Sequence, residues 1–600
     1  MKLKSYTALI CIALLPFFST LKAQAPQLDW AIGVGGTGSD YGNAIALDAQ
    51  GNTYTTGFFS GTVDFDPGIG IQNLTSHAYC DIFILKTDAS GNFLWAKAIG
   101  GGGIDEGNGI AVAPSGNIYI TGSFAHTVDF NPSPAPADTF FLTNADDPCN
   151  TEIYILKLDN NGNFIWAKSV AGVMTICTAA TDEAFALDID QAENVYVTGY
   201  WTGLADFNTS TAPADTFKLQ TCGATISGDI FILKLDSAGN FRWVKQIGNA
   251  LSDTGYGIHV SANGFVYVTG LYGADTDFDP NAGTDIILGY GNWDSFIMKL
   301  DTAGNYYWAR GFGGTGDDRG MAVTTDANEN VIATGHFIGT VDFDPSASNA
   351  NLTTISYTYG IYLLKLDPNG NYIWAKSING NGGGERDGKS IALDAASNIY
   401  ITGLFAGTID FNPSLAPADT FNITTTGTWS NTDAFILKTD SIGNFIWATS
   451  IGAAGVDRGK GIAVDASNHV YSIGFYQGSV DFDPTAGIQN QPGMGSDDIY
   501  IQKLNQNPTG FLEMNSNTTS LSVYPNPTNG NFILQANQMN ETFALVSITD
   551  LSGRILYQKN IECLNREIYS RIDISGFSSG IYFVQVKSGN TVYSAKVVRQ

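Results

Sequence analysis

The chain has 600 residues, of which 44% are hydrophobic and 12% aromatic, and its formal net charge is −28. This length exceeds what one hydrophobic core usually supports, so we expect repeats or several domains. The negative charge argues against nucleic acid and anionic membrane surfaces as partners, because binding to either needs clustered lysine and arginine. It is compatible with cation binding or with solubility alone.

Residues 1–23 have the pattern of an export signal. Lys2 and Lys4 precede an apolar run over residues 8–18, and Ala23 offers a small residue for cleavage. The run is too short to span a bilayer, and no later segment reaches the roughly 18 apolar residues that spanning requires. We therefore predict a secreted chain without a membrane span.

A repeat follows, marked by a tryptophan at spacings of 65 to 77 residues: Trp30, Trp95, Trp166, Trp243, Trp308, Trp374 and Trp447. After each tryptophan the sequence resembles D-x-G-x-x-I-A-x-D-x-x-G-N-x-Y-x-T-G-x-F-x-G-T-x-D-F-D-P, then varies, then resembles D-x-F-I-L-K-x-D-x-x-G-N-F-x-W. With 69 glycines and no long helical periodicity, this pattern predicts short strands joined by tight turns. Each unit predicts four strands, named A to D in chain order; in the first unit they cover residues 43–48, 52–59, 81–88 and 92–99.

The turns between the strands differ in their sequence signal. Six units join strands C and D through Asp-x-x-Gly-Asn, as at residues 88–92. This motif predicts a type I turn followed by a glycine with positive φ. The A–B turns are predicted to be looser, because Glu193, Glu329 and Ser397 occupy the glycine position in three units.

The first and last units are incomplete in complementary ways. Trp30 has no F-I-L-K segment before it, and the last such segment, residues 498–504, has no strand D after it. We therefore predict that residues 28–34 supply the missing strand beside residues 499–504. This pairing would close a ring of seven four-stranded sheets and remove the exposed sheet edges. The predicted fold is an all-β, seven-bladed β-propeller over residues 24–505.

The repeat resembles the bacterial seven-bladed β-propeller (SBBP) repeat family over roughly residues 28–505. The resemblance rests on segments such as Gly51-Asn-Thr-Tyr-Thr-Thr-Gly57, Gly116-Asn-Ile-Tyr-Ile-Thr-Gly122 and Asp229-Ile-Phe-Ile-Leu-Lys-Leu-Asp236. It implies a fold and no particular activity. We interpret the repeated tryptophan as packing between neighbouring blades, where a buried aromatic removes about 150–250 Å² from water.

Alternating strand direction predicts two unequal faces. The A–B and C–D turns lie on the first face, which is uniform and is interpreted as scaffold. The B–C segments and D–A loops lie on the second face, which holds the length variation, including a Pro-Ala-Asp-Thr-Phe insertion that ends at Phe140, Phe217 and Phe421. We expect any binding to use the second face, since loops on a rigid frame usually carry function.

Acidic pairs occur at the start of every B–C segment, which reads Asp-Phe-Asp or Asp-Phe-Asn. The two oxygen-bearing side chains point the same way, with phenylalanine opposite. They could ligate calcium, which prefers about six to eight oxygen ligands, or they could cap turns before proline. The candidate calcium ligands are Asp64, Asp66, Asp277, Asp279, Asp342, Asp344, Asp481 and Asp483.

A second acid precedes strand A in each unit: Asp40, Asp105, Asp182, Asp253, Asp318 and Asp457, with Asp387 displaced by one position. Strand A lines the central channel of a propeller, so these acids could ring its mouth. Loop capping is the other interpretation.

No catalytic motif occurs in a suitable setting, and the five histidines, without metal-ligand spacing, are interpreted as surface or loop residues. A glycoside hydrolase or lyase would need an acid pair that departs from the repeat. Glu106, Glu183 and Glu385 are such departures on the second face. We predict no enzymatic activity.

Five cysteines follow residue 23, at no metal-ligand spacing and out of step with the repeat: Cys80, Cys149, Cys177, Cys222 and Cys563. A secreted protein can form disulfides, and an odd number leaves at least one thiol unpaired within the chain. The pairing among the first four stays open.

Composition changes at residues 506–520, a polar linker, and residues 521–600 form a separate module with strand-like runs at 542–549, 554–558, 580–587 and 592–598. This module resembles the C-terminal sorting domain of the type IX secretion system (Por system). The matching segments are Tyr524-Pro-Asn-Pro527, Asp550-Leu-Ser-Gly-Arg-Ile555, Ser578-Ser-Gly-Ile-Tyr-Phe583 and Lys596-Val-Val-Arg599. The resemblance implies a small β-sandwich that directs export across the outer membrane of a Gram-negative cell. There it is typically removed, with the cargo released or attached to surface lipopolysaccharide.

The sequence thus predicts a secreted or cell-surface, non-catalytic propeller that acts as a binding or adhesion scaffold. The expected partners are the type IX secretion machinery and a glycan or surface protein, and we expect a monomer. The alternative is an extracellular polysaccharide-active hydrolase or lyase.

Overall fold

The structure is a computed structural model that describes residues 25–133, 135, 137–144, 150–172, 181–210, 215–223, 227–346, 348–355, 358–381, 383–414, 419–426, 431–485, 487–506, 521–524, 526, 528–536, 541–549, 554–564, 566–588 and 591–600. It divides into two compact units, residues 1–506 and 507–600. The predicted export signal, Cys149, Cys177 and linker residues 507–520 lie outside the described residues. Every element that the structure describes is a β-strand, which confirms the all-β class.

The strands of the first unit begin with β1 (Gln27–Val34). Repeats one and two contain β2 (Tyr41–Leu47), β3 (Thr53–Phe59), β4 (Thr62–Asp64), β5 (Asn73–Thr75), β6 (Asp81–Thr87), β7 (Phe93–Ile99), β8 (Glu106–Val112), β9 (Ile118–Phe124), β10 (Thr127–Asp129), β11 (Phe141–Thr143), β12 (Glu152–Leu158) and β13 (Phe164–Gly172). Repeats three and four contain β14 (Glu183–Ile189), β15 (Val195–Thr202), β16 (Leu204–Asp206), β17 (Lys218–Gln220), β18 (Gly228–Leu235), β19 (Phe241–Ile247), β20 (Thr254–Val260), β21 (Phe265–Tyr272), β22 (Thr276–Asp277), β23 (Ile286–Ile287), β24 (Asp294–Asp301) and β25 (Tyr306–Phe312).

Repeats five to seven contain β26 (Arg319–Thr325), β27 (Val331–Ile338), β28 (Thr340–Asp342), β29 (Asn351–Thr353), β30 (Tyr359–Leu366), β31 (Tyr372–Asn381), β32 (Arg386–Leu393), β33 (Ile399–Phe405), β34 (Thr408–Asp410), β35 (Asn422–Thr424), β36 (Asp433–Thr439), β37 (Phe445–Ile451), β38 (Arg458–Val464), β39 (Val470–Tyr476), β40 (Val480–Asp481), β41 (Asn490–Gln491) and β42 (Asp498–Asn505). The second unit contains β43 (Leu521–Tyr524), β44 (Asn531–Ala536), β45 (Phe543–Thr549), β46 (Ile555–Glu562), β47 (Ile568–Asp573), β48 (Gly580–Ser588) and β49 (Thr591–Arg599).

The long strands of each repeat pair antiparallel in the order A-B-C-D. The resulting sheets 1 to 7 are β2-β3-β6-β7, β8-β9-β12-β13, β14-β15-β18-β19, β20-β21-β24-β25, β26-β27-β30-β31, β32-β33-β36-β37 and β38-β39-β42-β1. Sheet 7 takes its outer strand from the N-terminal part of the chain, with Trp30 opposite Lys503 and Val34 opposite Ile499. The predicted pairing of the first strand with the last repeat is confirmed.

The seven sheets contact one another in cyclic order through their A strands. β2, β8, β14, β20, β26, β32 and β38 each touch the next, and β38 touches β2. No single sheet closes on itself; the circular arrangement comes from contacts between separate sheets. Residues of all seven A strands line one central cavity.

Each repeated tryptophan packs against the next sheet. Gly91 lies on the indole of Trp30, where an added Cβ would be 2.9 Å from the ring, and Trp30 Nε1 donates to Ala89 O at 3.2 Å. Lys503 Nζ donates to the same carbonyl at 3.0 Å. Equivalent indole hydrogen bonds are made by Trp95, Trp166, Trp243 and Trp308. The tryptophans therefore pack between neighbouring sheets, as the sequence predicts.

Sheet 7 has no C–D turn whose carbonyl could accept hydrogen bonds from sheet 6. The side chain of Gln506 accepts these hydrogen bonds instead. Lys438 Nζ and Tyr400 OH donate to Gln506 Oε1 at 2.7 and 3.1 Å. Gln506 Nε2 donates to Asn468 O at 2.7 Å. A side-chain amide thus takes the place of the turn carbonyl used between the other sheets.

The A–B turns are as tight as the C–D turns, so the prediction of looser turns is wrong. Glu193, Glu329 and Ser397 have φ values of 59°, 62° and 60°, and each donates its backbone N–H to the aspartate carbonyl three residues earlier. Glu193 Oε2 accepts hydrogen bonds from Tyr119 OH at 2.7 Å and Lys157 Nζ at 3.2 Å, both on sheet 2. Such contacts between sheets offset the steric cost of positive φ for a residue with a Cβ.

Each B–C segment holds a short hairpin that the sequence did not predict. The hairpins are β4–β5, β10–β11, β16–β17, β22–β23, β28–β29, β34–β35 and β40–β41. The end of β13 pairs with the next repeat's hairpin, with Gly172 opposite Ala205. The D–A loops and B–C segments therefore meet on one face, as predicted.

Truncating one repeated tryptophan should destabilise the first unit. For Trp308→Ala we expect a loss of about 3–5 kcal/mol, because Trp308 is 7% exposed and its truncation leaves a cavity between sheets 4 and 5. Chemical denaturation followed by tryptophan fluorescence measures this. The matched control is Tyr307→Ala on the same strand, whose side chain is 54% exposed and whose loss should cost under about 1 kcal/mol. Equal losses in the two variants would contradict the packing role.

The second unit consists of two sheets, β43-β44-β47 and β46-β45-β48-β49. Both contribute to one buried core that includes Leu534, Ile572, Val546 and Val584. This is the arrangement of a small β-sandwich. The four strand-like runs of the sequence correspond to β45, β46, β48 and β49, while β43, β44 and β47 were not predicted.

Among the cysteines that the structure describes, Cys80, Cys222 and Cys563 are free thiols. Within the described part of the chain there is also no helix with the length and apolar character needed to cross a membrane.

Candidate functional site in the central channel

The acids that precede strand A are buried loop caps. Asp318 is 1% exposed; its Oδ2 accepts a hydrogen bond from Gly314 N at 2.8 Å and its Oδ1 accepts one from Ile338 N at 2.9 Å. The same two-amide pattern occurs at Asp40, Asp105, Asp253 and Asp457. These carboxylates connect a D–A loop to the end of strand B, which supports the loop-capping interpretation over a ring at the channel mouth.

A second buried acid, which the sequence interpretation missed, lies at the start of strand C. Asp294 is 1% exposed, its Oδ2 accepts a hydrogen bond from Tyr290 N, and its Oδ1 has no hydrogen-bond partner. A Cβ at Gly313 would lie 1.8 Å from that Oδ1, so the position requires glycine. Asp81, Asp229, Asp433 and Asp498 are placed in the same way against Gly100, Gly248, Gly452 and Gly35. In the sequence, the signal for this buried acid was the recurring Asp before F-I-L-K together with the recurring Gly after strand D.

Several of the acids at these two positions have raised pKa values. Burial raises the pKa of Asp318 to about 7, with a further contribution from Asp294, and burial raises that of Asp294 to about 6. The pKa values of Asp105 and Asp253 are raised to about 7 for the same reason. Protonation of these groups therefore falls within an accessible pH range.

The sixth repeat breaks the loop-capping pattern. Arg386, which is fully buried, occupies the capping position and donates from Nη1 to Tyr359 O at 3.0 Å. Asp387, the second residue of β32, aligns with the first residue of strand A in the other repeats; its Oδ2 lies 2.6 Å from Lys389 Nζ and its Oδ1 lies 3.1 Å from His336 Nδ1. His336 is buried, so its interpretation as a surface or loop residue is wrong.

The candidate calcium ligands cap turns in the second-face hairpins. Asp64 Oδ1 accepts hydrogen bonds from Asp66 N at 3.1 Å and Gln72 N at 2.8 Å, and Asp66 Oδ1 accepts one from Gly68 N. The same bonds recur at Asp277, Asp279, Asp342, Asp344, Asp481 and Asp483. Phe65, between the two acids, is fully buried. Among the residues that the structure describes, no three His, Cys, Asp or Glu side chains are grouped to hold a metal ion.

Calcium ligation by these pairs stays a prediction, and thermal unfolding tests it. We expect the same midpoint with calcium and with a chelator, because each pair already accepts backbone hydrogen bonds and offers only two carboxylates. A cation that binds the folded state must raise its stability. A midpoint that rises with calcium and falls with chelator would therefore establish a structural calcium site.

The central cavity is lined by residues that differ between the repeats. It has a volume of about 230 Å³ and is lined by the middle residues of the seven A strands. The third position of strand A reads Asn43, Asn108, Phe185, Tyr256, Met321, Lys389 and Lys460 in ring order. The cavity wall therefore has two chemically different parts. The cationic and amide residues occupy four adjacent strands, and the aromatic and thioether residues occupy the other three.

The first position of strand A, two residues earlier, also departs from the repeat. It reads Tyr41, Glu106, Glu183, Thr254, Arg319, Asp387 and Arg458. Arg458 Nη2 pairs with Glu385 Oε2 at 2.8 Å. The structure therefore brings Glu106 and Glu183 to neighbouring strands, while Glu385 is held by an arginine.

The charged groups of the channel perturb one another. Burial raises the pKa of Glu183 to about 7, with a smaller contribution from Glu106. Burial raises the pKa of Glu106 as well, and Lys460 opposes that rise. Burial together with Lys389 and Arg458 lowers the pKa of Lys460 to about 8. The channel is therefore a partly desolvated site with charges of both signs.

Comparison with known families identifies both parts of the chain. Residues 522–600 match the secretion system C-terminal sorting domain, and residues 94–123 and 242–271 match a β-propeller repeat. The chain carries SBBP β-propeller repeats and a type IX sorting domain. Proteins with this domain are secreted by the type IX system to the extracellular space or the cell surface.

Two curated relatives are similar over much of the chain. One is an uncharacterized WD repeat-containing protein, L264, of Acanthamoeba polyphaga mimivirus, 26% identical over 76% of this chain. The other is the regulatory protein FlaEY of Caulobacter vibrioides, 22% identical over 63% of this chain. The chain spans only 36% and 37% of the lengths of these relatives. Among solved structures, Sqt1 from Chaetomium thermophilum matches with 10% identity over 80% of this chain and all of its own, at a TM-score of 0.35.

Proposed function

We propose that the exported chain is a non-catalytic scaffold that binds an extracellular ligand at the second face, in the mouth of the central channel. The observation that supports this most is the distribution of departures from the repeat. The residues that build the sheets, the turns and the contacts between sheets recur in nearly every unit. The third position of strand A differs from unit to unit and lines one cavity, and the first position, two residues earlier, also differs from unit to unit. A repeat that keeps its framework and varies one concave surface is the pattern of a binding site on a rigid frame.

A glycan or a surface protein fits this location, since the sorting domain delivers the chain to the outside of the cell. A glycan array probed with the exported chain tests the proposal. The variants Phe185→Ala and Tyr256→Ala, which remove the aromatic wall, should lose the bound glycans, and Tyr307→Ala, on an outer strand, should retain them. If neither channel variant changes glycan binding, the binding site does not lie in the channel.

Polysaccharide hydrolysis or elimination is the second candidate, and one observation favours it. Glu106 and Glu183 begin neighbouring strands at the channel mouth, and both have raised pKa values, which is the condition for a carboxyl that acts as an acid. Product release from polysaccharides by the wild-type chain, lost in Glu106→Gln and Glu183→Gln, would establish it. Activity absent from the wild type, or retained in both variants, supports the scaffold.

A further inference from the structure

The central cavity has a cationic wall and an apolar wall. Lys389 and Lys460 lie on the adjacent strands β32 and β38, followed by Asn43 on β2 and Asn108 on β8. Phe185, Tyr256 and Met321, on β14, β20 and β26, form the opposite wall. The chain has only 29 lysines and arginines against 57 acids, so two lysines on adjacent strands of one cavity wall are unusual for this chain.

Two of the cations near the cavity are already paired with carboxylates. Lys389 pairs with Asp387 at 2.6 Å and Arg458 pairs with Glu385 at 2.8 Å. Lys460 differs, because among the described residues it makes no hydrogen bond or salt bridge, and the carboxylates of Glu106 and Asp387 act on its ammonium only through longer-range charge. An ammonium group in a partly desolvated cavity without a direct partner is costly unless an anion joins it.

The apolar wall lies opposite this ammonium and presents two aromatic rings that are tilted 51° to one another. Phe185 and Tyr256 have ring centroids 5.0 Å apart, and Tyr200 extends the cluster at 5.9 Å from Phe185. Asn43 and Asn108 are held in place between the strands, since Asn43 Nδ2 donates to Gly107 O at 3.1 Å and Asn108 Nδ2 donates to Ala184 O at 3.1 Å. Ordered amides next to a cation suit hydroxyl groups that flank a carboxylate, and aromatic rings suit the apolar face of a sugar ring.

We propose that the cavity binds one acidic sugar residue of the uronate class, with its carboxylate on Lys460 and its ring face on Phe185 and Tyr256. The volume of about 230 Å³ is at or below the lower end of ligand pockets, which matches a single ring rather than an oligosaccharide. The residue enters either as a free monosaccharide or as the end of an acidic polysaccharide. This inference rests on the proposed function and names the ligand class of the same site.

Isothermal titration calorimetry with the exported chain tests the assignment. The probes are D-glucuronate, D-galacturonate, D-glucose, sulfate and a galacturonate oligomer. We expect one of the two uronates to bind. D-glucose, which has no carboxylate, should bind at least about tenfold more weakly, since a charge-assisted contact is worth more than about 1.4 kcal/mol. Sulfate should bind with an affinity that does not depend on the aromatic wall. An oligomer that binds at least as well as the monomer identifies a polysaccharide end as the source, and one that fails to bind identifies the free sugar.

Three variants separate the parts of the site. Lys460→Met, of similar length and without charge, should weaken uronate at least about tenfold, and Lys460→Arg should retain binding. Phe185→Ala should weaken uronate but not sulfate. Lys218→Met, an exposed lysine on β17 of the same face, is the control and should change nothing. Circular dichroism and thermal unfolding verify that each variant is folded.

The outcomes distinguish the inference from the proposed function. Unchanged uronate affinity in folded Lys460→Met, or equal affinity for glucose and uronate, overturns the acidic-sugar assignment. If a neutral glycan or a protein binds and Phe185→Ala abolishes that binding, the assignment fails while the proposed function stands. If neither the sugars nor the glycan array gives binding that depends on the channel, both fail.

Discussion

The thermal midpoint of the propeller should rise by several degrees as the pH falls from about 8 to about 5. Burial raises the pKa values of Asp105, Asp182, Asp253 and Asp318 to about 7, well above the ordinary aspartate value. A group whose pKa is raised by folding binds its proton more tightly in the folded state. Its contribution to stability is complete below the unfolded pKa and is lost as the pH rises through the folded pKa. Each tenfold gain in proton affinity on folding corresponds to about 1.4 kcal/mol per group, so several such groups give a large total effect.

The rise should reverse below about pH 4. The aspartates of the C–D turns, including Asp301, have lowered pKa values because they accept hydrogen bonds from asparagine and backbone amides. Stability from a lowered pKa is present above the unfolded value and is lost as the pH falls through the folded one. Stability should therefore be greatest near about pH 5.

Two variants of the same strand test the assignment. Asp294→Asn removes a buried charge whose Oδ1 has no partner, so it should raise the midpoint at pH 8 and flatten the pH dependence. Asp301→Asn is the matched control; it removes a carboxylate whose Oδ1 accepts from Ala303 N and Asn305 N, and it should lower the midpoint at pH 8. Scanning calorimetry from about pH 4 to 8 measures both. A wild-type midpoint that is flat or falls between pH 8 and 5 would show that these carboxyls are ionised in the folded state.

The sequence predicted the framework because the framework repeats. Tryptophan spacing, the Asp-x-x-Gly-Asn turn and the two incomplete ends predicted the strand order, the contacts between sheets and the pairing of β1 with β42. Where a residue departs from the repeat, pattern gives no information about its partner. Glu193 was therefore taken as a weaker turn former, although contacts with Tyr119 and Lys157 on another sheet hold its positive φ.

The candidate site was harder to predict for the same reason. The sequence identified Glu106 and Glu183 as departures, but their adjacency depends on the ring order of the sheets. Lys389 and Lys460 were not identified, because 71 residues separate them along the chain and only the cavity brings them together. The aspartate at the start of strand C was visible in five of the seven repeats, yet its burial depends on a glycine that follows strand D.

Breaking the pairing of β1 with β42 should have the largest effect on the fold. Ile32 lies opposite Ile501 in the middle of this pair, and neighbouring Ala31 and Val34 are buried. Proline at position 32 removes a ladder hydrogen bond, and the acceptor left unpaired in the sheet costs about 1–3 kcal/mol. Release of β1 would also expose the whole edge of β42, whose Ile499 and Ile501 are buried in the intact sheet. We therefore expect Ile32→Pro to unfold at a much lower temperature and to aggregate through the freed edge.

Gln27→Pro provides the matched control, because Gln27 is the exposed first residue of the same strand, where proline is tolerated. Light scattering during a thermal ramp compares the two variants with the wild type. A synthetic peptide of residues 25–36 should restore the midpoint of a chain that lacks those residues, since the edge of β42 is then paired again. If Ile32→Pro unfolds with the wild-type midpoint, or if the peptide has no effect on the truncated chain, β1 does not hold sheet 7 together. The circular order would then rest on contacts between A strands alone, and the shared channel that those strands line would need no contribution from the N-terminal strand.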